Sequence, residues 1–229
     1  MKTELPALLA VASLVAVAPI QAATPLSSGH ADIGIAYEEG ALDLHVHDEE
    51  NDTEYSPADA LLVVNAQALQ FAPGGAYAFL GPAGTPNWIL PSSETAGLLF
   101  LGIGAEELDA ADWQGNLTLR LDSVSGPGSF YLWSVNPFGQ PVLHMDSANP
   151  SGAPGVVSVS PGNHGHYNWG FSAPGTYSIS FEASGLNIAD GPQNSGPVAF
   201  QFEVVPEPQT WALLVLGLAG LLWGCRSRR

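Results

Sequence analysis

Basic residues are nearly missing from this chain. Among 229 residues there are five Lys and Arg against 22 Asp and Glu, a formal net charge of −17. Four of the five basic residues lie at the ends: Lys2 near the start, and Arg226, Arg228 and Arg229 at the finish. Between residues 24 and 204 the single cation is Arg120. All acidic residues except Glu4 and Glu207 fall in that stretch, which gives it a net formal charge of −19. Nucleic-acid binding is excluded, because neutralising phosphates needs Lys and Arg. An acidic surface suits divalent cations, and it also keeps an exported protein soluble.

Cysteine is as scarce. The one cysteine is Cys225, so residues 24–204 can form no disulfide and offer no thiolate. Helical periodicity is missing as well, apart from one turn expected at 105–112. The sequence has no serine nucleophile elbow, no His-Glu-x-x-His, no phosphate-binding glycine loop and no cysteine nucleophile in the 24–204 region. The chain reads as a non-enzyme.

What is present begins with the ends. Val205-Pro206-Glu207-Pro208 precedes 16 uncharged residues, Gln209 to Gly224, and then Arg226, Arg228 and Arg229. A transmembrane helix there would be about 24 Å long, short for a bilayer but workable with flanking arginines. Those arginines would hold that end in the cytoplasm. The arrangement resembles the PEP-CTERM sorting signal of exosortase substrates. That resemblance implies that Pro206, Glu207 and Pro208 are the recognition element and that an exosortase, a membrane transpeptidase of Gram-negative bacteria, is the processing partner. It also implies a membrane-anchored precursor bound for the cell surface or extracellular matrix. At the other end Met1-Lys2, an apolar run over 5–18 and Ile20-Gln21-Ala22 read as a signal peptide, residues 1–23, cut by signal peptidase. One domain over 24–204 and a sorting and anchor segment over 205–229 complete the expected organisation.

Within 24–204, glycine and proline recur at short intervals and apolar residues alternate between them. Strands of four to eight residues are expected throughout, among them 31–37, 42–47, 77–80 and 98–103. The pattern predicts an all-β domain, an immunoglobulin-like or jelly-roll β-sandwich. The clearest alternation is Leu42-Asp43-Leu44-His45-Val46-His47, preceded by Ala31, Ile33, Ile35 and Tyr37 in the same phase. A tight turn at Glu39-Gly40 would pair the two strands as a hairpin, His47 opposite Asp32 and His45 opposite Gly34. One polar face then gathers His30, Asp32, Asp43, His45 and His47.

Four of the six histidines form two His-x-His pairs, His45/His47 and His164/His166. On a strand, i and i+2 project side by side about 7 Å apart, so two imidazoles can converge on one ion. The expected site is a single one: both pairs, completed by Asp32, Asp43 or His30, holding Zn²⁺ or another divalent transition metal. The alternative is that these histidines hydrogen-bond loops, with 163–169 a turn leading into a core strand. The run Asp48–Glu54 is either a solvated acidic loop or an oxygen-ligand calcium site.

Several stretches resemble the choice-of-anchor M domain, an actinobacterial surface-anchored domain. They are Gly29 to Tyr37, Leu42 to Asp48, Ala76 to Gly81, Leu98 to Gly104, Ser123 to Gly128, and His164 to Phe171 with Gly175-Thr176-Tyr177. The resemblance spans about 28–204. It implies one surface domain carried on different anchors, and an association with ABC transporters of the metal-uptake kind. The resulting expectation is an exported ligand-binding surface protein that holds a metal. The rival is a structural or adhesive protein of the cell surface or exopolysaccharide, with Trp88, Trp113 and Trp133 as exposed sugar-stacking candidates.

Mass spectrometry of the surface protein, in cells that have an exosortase, should find the segment after about Pro208 removed. Recovery of protein still ending at Arg229 would reject processing.

Overall fold

The computed structural model describes residues 22–149 and 153–206. Residues 1–21 of the expected signal peptide, Glu207, Pro208 and the tail with Arg226, Arg228 and Arg229 lie outside the described residues. Among the described residues no helix is long and apolar enough to cross a membrane.

The chain opens with β1 (Thr24–Leu26) and the hairpin β2 (Gly29–Glu38) and β3 (Ala41–Asp48). Then come β4 (Thr53–Tyr55), β5 (Ala60–Val64), β6 (Leu69–Phe71), β7 (Pro86–Leu90), β8 (Leu99–Gly104) and β9 (Leu117–Ser125). The rest are β10 (Phe130–Val135), β11 (Pro141–Asp146), β12 (Val156–Val159), β13 (His164–His166), β14 (Asn168–Phe171), β15 (Gly175–Asn187), β16 (Gly191–Asn194) and β17 (Val198–Val204). They form three sheets. The broad sheet runs β1-β5-β17-β15-β9-β12, with β16 also on β15. A second runs β11-β10-β14-β7-β6 and a third β13-β8-β2-β3-β4.

The broad sheet supplies one face of the core by strict alternation. Tyr177, Ile179, Phe181 and Ala183 on β15, and Phe200, Phe202 and Val204 on β17, are wholly buried, while their neighbours face outward. Phe130, Leu132, Trp169 and Phe171 of the second sheet join the same core, as do Ile33, Ile35, Leu44 and Val46 of the third. The fold is thus sandwich-like, one broad sheet against two smaller ones. Trp169 is the joint. Its ring lies 5.9 Å from Phe130, 6.1 Å from Phe181 and 6.0 Å from Phe202. Its Nε1 donates 2.9 Å to the Leu101 carbonyl, linking the second sheet to the third.

The hairpin register is the one expected. Asp32 pairs with His47 and Gly34 with His45. Glu39 (φ 49°) and Gly40 (φ 85°) both take positive φ, which a tight two-residue hairpin turn requires. Two expectations differ. Residues 77–80 are not a strand but part of a 3-10 segment, Gly75–Leu80, between Gly74 (φ 75°) and Gly81 (φ 98°). Its Tyr77, Phe79 and Leu80 pack with Tyr131 and Trp133 in a satellite cluster, so packing rather than period decides that segment. The sheets also depart from the immunoglobulin-like or jelly-roll pattern. There are three of them, and β1/β5, β5/β17 and β2/β8 pair in parallel.

Trp169→Ala should lower the unfolding free energy by about 3–5 kcal/mol, the range for a large buried aromatic. Urea denaturation of the wild type and the variant measures it. A loss below about 1 kcal/mol would mean the indole does not join the layers.

Candidate metal centre

The site lies on the outer face of the third sheet, and the register builds it row by row. In one row His166 pairs with Gly102, Gly102 with Asp32, Asp32 with His47 and His47 with Glu54. In the next row His164 pairs with Gly104, Gly104 with Gly34 and Gly34 with His45. On the other side of the first row His30 pairs with Phe100. The positions between the histidines are therefore Gly102 and Asp32 in the first row and Gly104 and Gly34 in the second. A Cβ on Gly102 would collide with the Asp32 carboxylate, and one on Gly34 would collide with the His45 ring. Glycine weakens a strand, so three in one patch mark a place where something must lie flat on the backbone. They form the floor of a trough in which Asp32 and the imidazoles lie.

Two loops wall this trough. The segment after β8 carries Glu106 and Glu107 and is tied down by Ala105, whose N–H donates to Asn163 and whose carbonyl accepts from Gly162. The turn after β3 brings Glu49 alongside. It is built by Asp48, whose carboxylate accepts from the Glu50 and Asn51 backbones and the Asn51 amide. Under these walls Asp32 is 1% exposed and His45 5% exposed, although both sit on the outer face. A cavity of about 220 Å³ remains, lined by Asp32, His45, His47, Glu49, Glu106 and Glu107 among others.

The polar atoms in the trough are poorly satisfied. Both Asp32 oxygens are buried without a hydrogen-bond partner, as are His30 Nε2, His45 Nε2, His166 Nδ1 and Glu49 Oε1. His30 Nε2 lies 3.5 Å from Asp32 Oδ1. Glu107 Oε1 is 3.0 Å from His45 Nε2, and Glu49 Oε1 is 3.0 Å from His47 Nδ1, but neither contact has the angle of a hydrogen bond. Burial raises the Asp32 pKa above the usual carboxylate value, and nearby His30 and His164 offset this only in part. His164 gains a 2.6 Å bond from Nδ1 to Glu106, which holds its pKa above the ordinary histidine value. His166 shifts the other way, down to about 4, because it is half-buried and faces His30 and His164. Its ring stacks on Phe100 at 3.6 Å and 10°.

The two histidine pairs share the face but not one coordination shell. Ligand atoms of His30, His164 and His166 come within 4.8 Å of one another, as do those of Asp32, Glu106 and His164, and those of His45, Glu54 and Glu107. Among the described residues no such group contains members of both pairs. The reason is the sheet order. β13 and β3 are separated by β8 and β2, three strand spacings or about 14 Å. The expected four-histidine centre is thus corrected to separate groups along one trough. His47 stays at the rim beside Glu49 and Asp52, the latter 3.6 Å away. Asp43 is exposed, one row beyond His45 and opposite Ala36, outside every group. The sixth histidine, His144, is on the second sheet, 2.9 Å from the Ser134 hydroxyl.

Glu106 and Glu107 were not among the expected ligands, and Glu49 and Glu54 entered only through the run 48–54, read as a solvated loop or a calcium site. Glu49 and Glu54 belong to the acidic run after His47, and Glu106-Glu107 follow the Gly102-x-Gly104 strand. That glycine alternation was the available signal. The sugar-stacking candidates Trp88, Trp113 and Trp133 are buried, at 8, 5 and 3% exposure.

Against known families, the PEP-CTERM protein-sorting motif matches residues 204–229. The tail thus marks an exported, membrane-processed protein of the exosortase-sorted class. The match leaves residues 28–204, which carry the resemblance to the choice-of-anchor M domain, unassigned. No curated protein and no solved structure matches the chain.

In metal-free protein, an NMR titration of the histidine ring protons should find His166 neutral down to about pH 4. A lowered folded pKa makes its contribution to stability complete above about pH 6.5, the unfolded value, and lost as pH falls toward 4. A His166 midpoint near 6.5 would contradict its burial beside two imidazoles.

Proposed function

We propose that this is an exported surface protein, sorted through its tail by an exosortase, whose β domain binds a divalent transition metal on its histidine face. Asp32 carries the metal reading. It is buried with both oxygens unpartnered and faces imidazoles whose ring nitrogens are also buried and unpartnered. A buried carboxylate in that state is costly, and a cation placed there removes the cost. His30, His164 and His166 offer a three-nitrogen group, and His164 is shared with a second group in which Asp32 and Glu106 offer oxygen, donor types that Zn²⁺ takes when sulfur is absent. Glu106 orients the His164 ring through Nδ1, the usual partner arrangement for a ligating histidine. The acidic domain as a whole raises the local concentration of cations. The resemblance to the choice-of-anchor M domain supports a metal-uptake ABC transporter as the receiving partner, and the tail supports a Gram-negative cell surface as the location. The rival structural or adhesive reading, with exopolysaccharide as partner, loses its tryptophan platforms to the core. No catalytic step is assigned.

Isothermal calorimetry of the metal-stripped exported protein with Zn²⁺ tests this. Zn²⁺ should bind and raise the melting temperature, by about 2.7 kcal/mol of stabilisation at a hundred-fold excess over Kd. His166→Ala should weaken binding at least tenfold, about 1.4 kcal/mol. If Zn²⁺, Cu²⁺, Ni²⁺ and Mn²⁺ all bind no tighter than millimolar, the metal reading fails.

A further inference from the structure

The trough holds a second cluster of ligand atoms that the His30–His164–His166 group does not use. His45, Glu54 and Glu107 bring one imidazole and two carboxylates within 4.8 Å of one another. They come from three elements, β3, β4 and the loop after β8, so the convergence is a product of the fold. His45 is more than nine-tenths buried, and its Nε2 has no hydrogen-bond partner among the described residues. The ring sits over Gly34, where any side chain would displace it. Glu107 Oε1 stands 3.0 Å from Nε2 without hydrogen-bond alignment. Glu54 pairs with His47 across the β3/β4 ladder and closes the third side.

We infer that His45, Glu54 and Glu107 form a second, separate cation subsite, oxygen-rich and suited to a hard divalent ion such as Mn²⁺. The inference deepens the metal-binding reading of this face and rests on it. Ligand softness separates the two subsites. Three imidazoles favour Zn²⁺, whereas two carboxylates, one imidazole and water suit Mn²⁺. Asp32 lies between them, in the row that joins His166 to His47, and lines the same cavity as His45 and Glu107. The chain therefore takes two ions of different class on one face.

Metal-stripped exported protein is titrated with Mn²⁺, bound ion being read from the loss of the free six-line electron paramagnetic resonance signal. Calorimetry follows Zn²⁺ in parallel. Glu107 is partly exposed, so Glu107→Gln should fold; its metal-free melting temperature should match wild type. The expected result is at least tenfold weaker Mn²⁺ binding in Glu107→Gln with Zn²⁺ binding at the first subsite unchanged. His166→Ala should do the reverse, losing Zn²⁺ and keeping Mn²⁺. Mn²⁺ binding that survives Glu107→Gln, or a total of one ion per chain when Zn²⁺ and Mn²⁺ are supplied together, overturns the second subsite while leaving the first intact. Loss of both ions in His166→Ala makes a single site and overturns it as well. Loss of Mn²⁺ in Glu107→Gln with Zn²⁺ unaffected by His166→Ala upholds this subsite and refutes the first. No binding of either ion overturns both.

Discussion

The constraint on which the histidine face depends is the buried carboxylate of Asp32. A carboxylate out of water must be hydrogen-bonded, paired or neutralised. Asp32 has no hydrogen bond, and its nearest imidazole nitrogen is 3.5 Å away. The surrounding sequence is chosen to keep it there. Gly102 and Gly104 on β8 leave room for the carboxylate, and Gly34 leaves room for the ring of His45. Each glycine weakens a strand by entropy and lost packing, and any side chain at Gly102 would force the carboxylate out. A patch that gives up β propensity to hold an unsatisfied charge is consistent with a site selected for a ligand and not for stability.

The core beneath explains how so loose a patch stays in register. Ile33 and Ile35 on β2, Leu44 and Val46 on β3, and Leu101 and Ile103 on β8 are buried on the opposite face from the trough. A slip of one residue in any of these strands would exchange core for trough, so the apolar set fixes the positions of His30, Asp32, His45 and His47. Trp169 adds a direct tie through the Leu101 carbonyl, one residue before Gly102. The rigidity of the trough comes from the layer below it.

The hairpin half of this arrangement was legible in the sequence. Period-two alternation over 31–37 and 42–47, with a Glu-Gly turn between, fixes both the face and the opposition of Asp32 to His47. The placing of β13 at the far edge of the same sheet was not legible. His164–His166 is only three residues long and pairs with β8, itself parallel to β2, and no local pattern announces a parallel partner about seventy residues away. For the same reason one four-histidine centre looked reasonable from spacing, while the strand order spreads the pairs across four columns. Glu106 and Glu107 were hidden because a loop's carboxylates acquire a role only when its backbone is anchored, here through Ala105 to 162–163. The 77–80 segment shows the converse, since four alternating residues fit a strand as well as a short turn of 3-10 helix.

His30 and His164 lie on β2 and β13, far apart in sequence, yet their rings stand 5.6 Å apart. A single ion bound to both would cross-link the first long strand to the edge strand that follows most of the sandwich. Closing a loop of well over a hundred residues restricts the unfolded ensemble as a covalent bridge would. In a domain with no cysteine between residues 24 and 204, an ion held there would take the place of the disulfide as the staple of an exported protein. Its resistance to unfolding outside the cell would then follow the metal supply there and not the redox conditions.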